Sequence, residues 1–438
     1  MPVSFIHLSD IHFGQEKGGE KVTHDDVKER LLVDAEAQAK LLDNPVTGII
    51  VTGDVAYAGK DEEFKEAGRW LDRLADAVGC KRTSVQVVPG NHDIDRDGIS
   101  GSCKLMLDDI LARGEEAFDA YLTNGGDCEA LYRKLDAYLD FAEGYNCFLD
   151  KKGGIASNKS FTLAPGRVLR IMGLNSSLMC WAKEKEGELF LGARQRVLPI
   201  TPGEELVVLC HHPLHWFNDH KTAHSYVRNR ARVLMTGHEH KPAVSVDYSK
   251  PGRDLLNIAS GAAVPPHATD DYSYTYNFLT FDFEPSTEDL KVSIIPRTWS
   301  DEEMDFVADQ KLLEDCGSEL VLASKNFRVA AGRVEVSVFD TSDEVDYPVK
   351  EADKVVIVEE STVVERFALV LLKFFRDLSP SERLQILVRM EALPPRWNGT
   401  MTHGMERTVV DRLMKEGRIA QLEAEIDQVQ SQGNTNNT

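Results

Sequence analysis

The sequence has 438 residues, of which 42% are hydrophobic, and a formal net charge of −22. This length is more than one hydrophobic core usually organises, and it predicts two or three domains. No stretch approaches 18 consecutive apolar residues and the start of the chain lacks a signal-peptide pattern, so we expect no contact with a membrane.

The distribution of charges and cysteines narrows the class of protein further. Residues 301–362 hold 17 acidic against 6 basic side chains, so half of the excess negative charge lies in one segment. The acidity therefore argues against a large non-specific DNA-binding surface, but only weakly against a nucleic-acid substrate. Seven cysteines without paired spacing favour a reducing compartment over a disulfide framework, and we expect a cytoplasmic protein.

Strands and helices alternate along the first hundred residues. Residues 3–8 are predicted as a strand, and residues 48–54 and 84–93 as strands that end in polar loops. Helical periodicity is present at 25–43 and 61–79. This order predicts a layered α/β fold whose strands are buried on both faces. In such folds ligands gather at the carboxyl ends of the strands.

The pattern changes after the third strand. Residues 101–150 are predicted as two or three helices, which we interpret as an insertion over the strand ends. Strands then resume, with the last one expected at the edge of its sheet; the segments are 160–177, 205–213, 231–240, 255–261, 277–283 and 291–297.

The C-terminal third divides into an acidic part and a helical part. Residues 301–361 are predicted as a β-rich acidic extension and linker, with a strand pair at 327–340. Residues 362–428 show helical patterning, and Ser379, followed by proline and by Glu382, forms a predicted capping box. The polar tail, 429–438, is predicted to be disordered.

Five polar clusters follow the predicted core strands in order. They are Asp-Ile-His at 10–12, Gly-Asp at 53–54, Gly-Asn-His-Asp at 90–93, His-His-Pro at 211–213 and Gly-His-Glu-His at 237–240. Each cluster alone has a second explanation, because glycine, asparagine and aspartate are common in turns. Five clusters at successive strand ends instead indicate one shared metal site.

The clusters supply seven candidate metal ligands, none of them a thiolate. These are Asp10, His12, Asp54, Asn91, His211, His238 and His240. Oxygen and imidazole donors suit manganese, iron or zinc, and seven donors suit two ions that share a carboxylate. In extended backbone the outer side chains of D-x-H and H-x-H point the same way, so both would reach one centre. The glycines before Asp54, Asn91 and His238 would let the backbone turn sharply.

The ordered clusters resemble those of the calcineurin-like metallophosphoesterase superfamily over residues 1–300. The resemblance implies a four-layer α/β/β/α sandwich with two divalent ions, manganese first and iron, zinc or nickel as alternatives. One ion would be held by Asp10, His12, Asp54 and His240, and the other by Asp54, Asn91, His211 and His238. His92 would be catalytic, with Asp93 orienting it. Such a centre hydrolyses phosphoesters with a metal-activated hydroxide.

Residues that could bind the substrate are predicted on two segments after the fourth cluster. His215 and Trp216 follow the His-His-Pro motif, and the tryptophan could stack a base. Arg228 and Arg230 precede the next ligand strand and could hold further phosphates. The alternatives are a plain surface loop for the first pair and a solvated helix face for the arginines. Alternating tyrosines at 272, 274 and 276 are more typical of a strand face than of a base platform.

The helical module at 362–428 loosely resembles the effector-associated or death-like modules of bacterial conflict-system enzymes. That resemblance implies association with a partner protein or with a second copy, and a role in bacterial defence. The fold class predicted for the whole chain is therefore an α/β sandwich with a helical insertion and a small all-α C-terminal domain.

Three functions remain open from the sequence. The first is a phosphodiesterase that acts on a nucleotide or a nucleic acid, in the manner of a nuclease. The second is a phosphomonoesterase acting on a phosphoprotein or a small molecule. The third is a scaffold that recruits proteins through its helical module. The intact set of ligand residues argues against a scaffold that has lost its activity.

Overall fold

Two β-sheets form the centre of the N-terminal body, which we define as residues 1–328. The structure is a computed structural model that describes residues 1–16, 20–150, 153–181, 184–265, 273–328, 364–393, 397 and 401–435. No helix among these residues is both long and apolar enough to cross a membrane.

The first sheet has seven strands, ordered β12-β11-β10-β1-β2-β3 with β13 paired to β11. Their bounds are β1 (Val3–Leu8), β2 (Val46–Val51), β3 (Val85–Val87), β10 (Thr275–Glu284), β11 (Asp289–Ser300), β12 (Asp305–Ala308) and β13 (Glu319–Leu322). β1, β2 and β3 run parallel, and β10 pairs antiparallel to β1.

The second sheet has six strands, ordered β4-β5-β6-β7-β9-β8. Their bounds are β4 (Ser157–Ala164), β5 (Arg167–Gly173), β6 (Glu204–Leu209), β7 (Ala231–Thr236), β8 (Pro242–Asp247) and β9 (Leu255–Ser260). β5, β6, β7 and β9 are parallel, and the outer strands β4 and β8 are antiparallel. The sheets face each other, as the ring contact between Phe5 of β1 and Phe161 of β4 (5.2 Å) shows.

The described residues of the body form eight α-helices. They are α1 (Glu20–Ala39), α2 (Asp61–Val78), α3 (Gly101–Arg113), α4 (Glu115–Thr123), α5 (Gly125–Tyr132), α6 (Asp136–Gly144), α7 (Ala193–Arg196) and α8 (His220–Arg230). α2 packs on β2 and α8 on β6 and β7, which gives the predicted α/β/β/α order of layers. α2 ends at Gly79, whose φ of 74° is the left-handed conformation that glycine adopts without strain.

The insertion is part of the main core and contains four helices, α3 to α6, where two or three were predicted. A 3₁₀ turn, Arg133–Leu135, divides the longest predicted helix into α5 and α6. Tyr132, Tyr138 and Phe141 are fully buried in the same apolar cluster as the strands. The insertion is therefore a layer of the body, built into its core.

One prediction about the end of the body is wrong. β11 was expected at the sheet edge, but β12 and β13 both pair with it on the outer side. Both strands belong to the β-rich extension predicted at 301–361, and its described part, residues 301–328, contributes Phe306, Leu322 and Phe327 to the core of the body. The predicted linker and most of the strand pair at 327–340 lie outside the described residues.

The C-terminal helices form a second, smaller core. Residues 364–371 form α9, which continues into a π-helical turn, Leu372–Arg376. The remaining helices are α10 (Pro380–Arg389), α11 (His403–Lys415) and α12 (Ile419–Thr435). The capping box at Ser379 and Glu382 is confirmed. α12 contradicts the predicted disorder from residue 429, because it extends to residue 435.

This C-terminal module docks on the body through α2 and α6. The Arg376 guanidinium binds both carboxylate oxygens of Asp72 (2.7 and 2.8 Å) and the Tyr145 hydroxyl (2.9 Å). A Cβ at Gly68 or Gly144 would lie within 3 Å of the Arg376 side chain, so the arginine fills a slot that two glycines leave open. Such a fit is typical of a built interface.

A second group of ion pairs extends the docking surface along α6. Arg383 binds both oxygens of Asp140 (2.9 and 3.0 Å). His403 bridges Asp140 (2.8 Å) and Glu143 (3.1 Å). Burial alone would lower the pKa of His403, but the two carboxylates raise it to about 9. Ion pairs between cationic side chains of the module and carboxylates of α6 therefore hold the module on the body.

We predict that Arg376→Met loosens the docked module far more than Arg366→Met does. Loss of one partner of a buried ion pair costs about 3–5 kcal/mol, whereas an exposed pair is worth about 0–1 kcal/mol. Arg366 is the matched control, because its side chain is half-exposed and pairs with Glu423 inside the module. Hydrogen exchange should be roughly a hundredfold faster in α6 and α9 of the first variant only. Equal protection in both variants would contradict a docked module.

Candidate metal centre

All five polar clusters lie at one edge of the sandwich. Asp10 and His12 follow β1, Asp54 follows β2, and residues 90–93 follow β3. From the second sheet, His211 follows β6, and residues 237–240 follow β7. Because the strands are parallel within each sheet, their carboxyl ends meet at the same edge.

The backbone at the site is left-handed at five of the predicted ligands. Among the described residues, nine non-glycine residues have positive φ, and five of them are Asp10 (53°), His12 (54°), Asp54 (52°), His238 (72°) and His240 (55°). The expectation of extended D-x-H and H-x-H segments is therefore wrong. Each such residue costs about 1–3 kcal/mol, and this strain is concentrated where ligands are presented.

Glycines at the site allow ligand loops to approach each other closely. A Cβ on Gly53, which has a φ of 97°, would lie 2.4 Å from Nδ1 of His211. A Cβ on Gly90 would lie 2.1 Å from Oδ1 of Asp54, and one on Gly237 would lie 1.9 Å from Oγ of Ser9. The last two glycines serve close packing, while Gly53 also provides the turn.

The seven predicted ligands form two groups that share Asp54. In the first, Oδ1 of Asp10 lies 3.2 Å from Nε2 of His240, and Oδ2 of Asp54 lies 3.4 Å from Nε2 of His12. The second group has the same Asp54 oxygen 3.3 Å from Nε2 of His211. Oδ1 of Asn91 lies 3.1 Å from that nitrogen and 2.9 Å from Nδ1 of His238.

One oxygen of each carboxylate is held by a backbone amide of another ligand loop. The amide of His92 donates to Oδ1 of Asp54 (2.7 Å), and that of His238 donates to Oδ2 of Asp10 (3.1 Å). The other oxygens, Oδ2 of Asp54 and Oδ1 of Asp10, are buried and have no hydrogen-bond partner. Each carboxylate therefore presents one unsatisfied oxygen to the centre.

Backbone groups also orient two of the histidines. Nδ1 of His211 donates to the Thr52 carbonyl (2.8 Å), and Nδ1 of His12 donates to the Val264 carbonyl (3.3 Å), because a carbonyl can only accept. The Nε2 lone pairs then face the Asp54 oxygen with no proton between them in the neutral tautomers. A divalent cation satisfies such converging lone pairs, so the residues present fit a metal centre.

The charges point to the same conclusion. Asp10 and Asp54 are fully buried, and among the described residues no lysine or arginine forms an ion pair with either. Burial alone would lower the pKa of His211, yet the charges of Asp54 and Asp10 raise it to about 9. The two buried carboxylates thus favour positive charge at the centre.

His92 is oriented by a backbone carbonyl, and the prediction that Asp93 orients it is wrong. Nδ1 of His92 donates to the Tyr57 carbonyl (2.7 Å), and the Tyr57 ring stacks on the imidazole at 5.1 Å. The Asp93 carboxylate instead accepts from the amides of Ala56 and Gly90 (2.8 Å each), which joins the loops after β2 and β3. Burial, reinforced by the charge of Asp54, raises the pKa of Asp93 to about 7.

Trp216 lies against the second group of ligands. Its ring meets that of His238 at 4.2 Å, edge to face, and that of His212 at 5.7 Å. His215 is half-exposed next to it, and its Nε2 lies 3.0 Å from Glu239 in the last cluster. Both residues of the predicted substrate loop therefore lie at the site edge.

The two predicted substrate arginines lie away from the site, contrary to expectation. Arg228 is buried and binds Asp247 at 2.5 Å, at the far end of β8. Arg230 stacks on Tyr226 (4.7 Å) and precedes the first residue of β7. Six residues of strand, about 20 Å, separate it from the loop that carries His238. The arginines do precede a strand that leads to ligands, as predicted. However, the ligands follow the carboxyl end of β7, whereas the arginines lie at its amino end.

The tyrosines after residue 270 behave as strand residues where they are described. Tyr276 is buried and donates to Asp34 (2.5 Å), and Tyr274 packs against Trp299 (5.8 Å). Position 272 lies outside the described residues. Sequence reasoning missed Tyr57, and its only sequence signal is an aromatic residue three positions after Asp54.

Comparison with known families agrees with this geometry. The calcineurin-like phosphoesterase model matches residues 3–242. The chain belongs to the calcineurin-like phosphoesterase family. Members of this family are metal-dependent phosphoesterases that use a dinuclear divalent metal centre. The model of the GTPase-associated adaptor domain matches residues 366–428, which is the helical module.

Individual relatives of this phosphoesterase are distant. The chain is 22% identical over 306 residues to the metallophosphoesterase-like protein YydB of Bacillus subtilis (strain 168), covering 67% of this chain and 59% of YydB. It therefore spans less than two thirds of that relative's length.

Solved structures to which the chain is similar include two from different organisms. Purple acid phosphatase PPD1 of Lupinus luteus has 10% identity and a TM-score of 0.39, and the match covers 75% of this chain and 55% of that one. NAD nucleotidase of Haemophilus influenzae has 12% identity and a TM-score of 0.35, with 75% and 61% covered.

We predict that Asp54→Ala removes hydrolysis of p-nitrophenyl phosphoesters almost completely, by about a hundredfold or more. The reason is that Asp54 is the carboxylate common to both groups of ligands. Arg230→Ala, at the opposite end of β7, should change the rate less than about threefold. Steady-state rates with manganese measure both effects, and similar losses in the two variants would place the centre elsewhere.

Proposed function

We propose that this phosphoesterase is a two-metal phosphodiesterase that acts on a nucleotide or nucleic-acid phosphodiester. In this proposal one ion is held by Asp10, His12, Asp54 and His240. The other is held by Asp54, Asn91, His211 and His238. Manganese is the proposed metal, since the donors are oxygens and imidazoles.

The observation that carries the choice of a diester is a pair of aromatic rings flanking the ligands. Tyr57 stacks on His92 and meets His12 (6.3 Å), beside the first group. Trp216 contacts His238, beside the second group. A phosphodiester carries a substituent on both sides of its phosphorus, and rings on both sides can each stack a base, worth about 1–3 kcal/mol.

The protein residues supply orientation and proton handling. Bound divalent ions would supply the charge that activates water and neutralises the phosphoryl oxygens. Because Nδ1 of His92 donates to the Tyr57 carbonyl, Nε2 is the nitrogen left to accept a proton near the substrate. Burial lowers the pKa of His92, which favours the neutral imidazole with Nε2 unprotonated.

A phosphomonoesterase is the second candidate. A terminal phosphate carries nearly one more negative charge than a diester and usually requires additional cations. Among the described residues, no arginine or lysine bonds to a predicted ligand, and Arg228 and Arg230 lie at the other end of β7. That distribution of cations favours the diester.

We further propose that residues 366–428 recruit a partner protein, and that the recruited hydrolase acts in a bacterial defence system. Support comes from the match to an adaptor-domain family whose name indicates a GTPase as the class of partner. The scaffold alternative makes recruitment the main role and hydrolysis the lesser one.

We predict a preference for bis(p-nitrophenyl) phosphate over p-nitrophenyl phosphate, measured as kcat/KM with manganese. Trp216→Ala and Tyr57→Ala should each lower kcat/KM for the dinucleotide ApA by about 5–100-fold, from the loss of one stacked base. Tyr248→Ala is the control, because that ring is 63% exposed just beyond the far end of β8.

The opposite substrate preference would favour the phosphomonoesterase. Losses of the same size with Tyr248→Ala would show that the flanking rings do not bind the substrate. Weak turnover of every phosphoester, with two ions bound, would favour the scaffold.

A further inference from the structure

A fully buried lysine lies beside the ligand loops. Lys134, in the 3₁₀ turn before α6, is 2% exposed, and its ammonium donates to the carbonyls of Leu178 (2.6 Å) and Cys180 (2.7 Å). Both of these hydrogen-bond partners are neutral carbonyl oxygens. Lysine is among the residues least often buried without a charged partner, because its desolvation is costly.

The two carbonyls belong to a short segment that we call the clamp loop, residues 175–180. Oγ of Ser177 donates to the Pro89 carbonyl (2.8 Å), two residues before Asn91. Oγ of Ser176 lies 2.8 Å from Nδ1 of His212, and the His212 amide donates to it (3.3 Å). The clamp loop thus holds one ligand loop from each sheet.

Lys134 also contacts a third loop through its backbone. Its carbonyl accepts from the amide of Asp95 (2.7 Å), three residues after His92. One residue therefore joins the segment after His92, the clamp loop and, through the clamp loop, the loops that carry Asn91 and His211. An apolar side chain would leave the carbonyls of Leu178 and Cys180 without their donor.

We propose that Lys134 is a positioning residue for the metal ligands, fixing the Asn91 and His211 loops through the clamp loop. The inference rests on the proposed two-metal function, because it concerns the spacing of ligands from the two sheets. Supports one step removed from metal ligands typically change metal affinity about 10–100-fold when they are removed. α6 begins beside Lys134 and carries Asp140 and Glu143. Both carboxylates form ion pairs with arginines of the docked module.

The test compares Lys134→Met with Lys159→Met. Lys159 is the matched control, since its ammonium also donates to two backbone carbonyls, those of Val85 (2.8 Å) and Tyr145 (3.2 Å), but at the opposite end of the strands. Calorimetric titration of the metal-free full-length proteins with Mn²⁺, and the visible spectrum of the Co²⁺ forms, report on ligand placement independently of turnover.

We expect Lys134→Met to weaken binding of at least one ion by about 10–100-fold and to alter the Co²⁺ spectrum. Lys159→Met should leave both within about twofold, even if both variants unfold at a lower temperature. Lys134→Arg, which keeps the cation, should recover part of the loss. Unchanged affinity and spectrum in a folded Lys134→Met protein would overturn the proposal and leave a purely structural lysine.

If Lys134→Met fails to fold, Ser177→Ala replaces it, because that change removes the bond to Pro89 and keeps Lys134 bound to its two carbonyls. Weaker Mn²⁺ binding in Ser177→Ala supports the proposal, and unchanged binding overturns it. A wild-type protein that binds two ions but hydrolyses no diester would overturn the proposed function alone.

Discussion

The shared Asp54 carboxylate is the constraint on which the rest of the site depends. One of its oxygens is fixed by the His92 amide, and the other lies between His12 and His211 with no hydrogen-bond partner. A buried carboxylate in that position is costly unless a cation accepts it. The surrounding structure therefore serves to hold Asp54 and to bring imidazoles from two different sheets to it.

Holding Asp54 requires local backbone that is unfavourable by itself. Gly53 and Asp54 are both left-handed, and Gly90 must be glycine because Asp54 occupies the space that a Cβ would need. The strain persists because β1 and β2 are buried and paired on both sides, and β3 is buried and paired with β2. Stability in the sheets thus offsets strain at their carboxyl ends, where the chemistry takes place.

Much of this arrangement could be predicted from the sequence, for an identifiable reason. Strand ends carry the ligands, so a motif that follows each apolar run shows both the order of the strands and the edge at which they meet. The seven predicted ligand positions came from that pattern, and the structure brings these side chains together. The left-handed conformation of Asp10 and His12 did not, because aspartate and histidine are compatible with extended backbone, and only the packing of the loops excludes it.

Features that depend on contacts between distant segments could not be predicted. The orienting partner of His92 is a backbone carbonyl, that of Tyr57, and carbonyls carry no sequence signal. Arg228 and Arg230 were close to the ligands in sequence but lie at the other end of β7. The docking of the helical module depends on Gly68 and Gly144, which leave space for the Arg376 side chain. The sequence does not show that Arg376 packs against these two glycines.

If two bound ions share Asp54, they should be magnetically coupled. Electron paramagnetic resonance of the protein loaded with two equivalents of Mn²⁺ should give the multiline signal of an exchange-coupled pair. Asp54→Ala should abolish that signal and leave at most the six-line spectrum of an isolated ion. A six-line spectrum from the wild-type protein at every ratio of metal to protein would contradict the account, because it would mean that the two groups of ligands do not form one dinuclear centre.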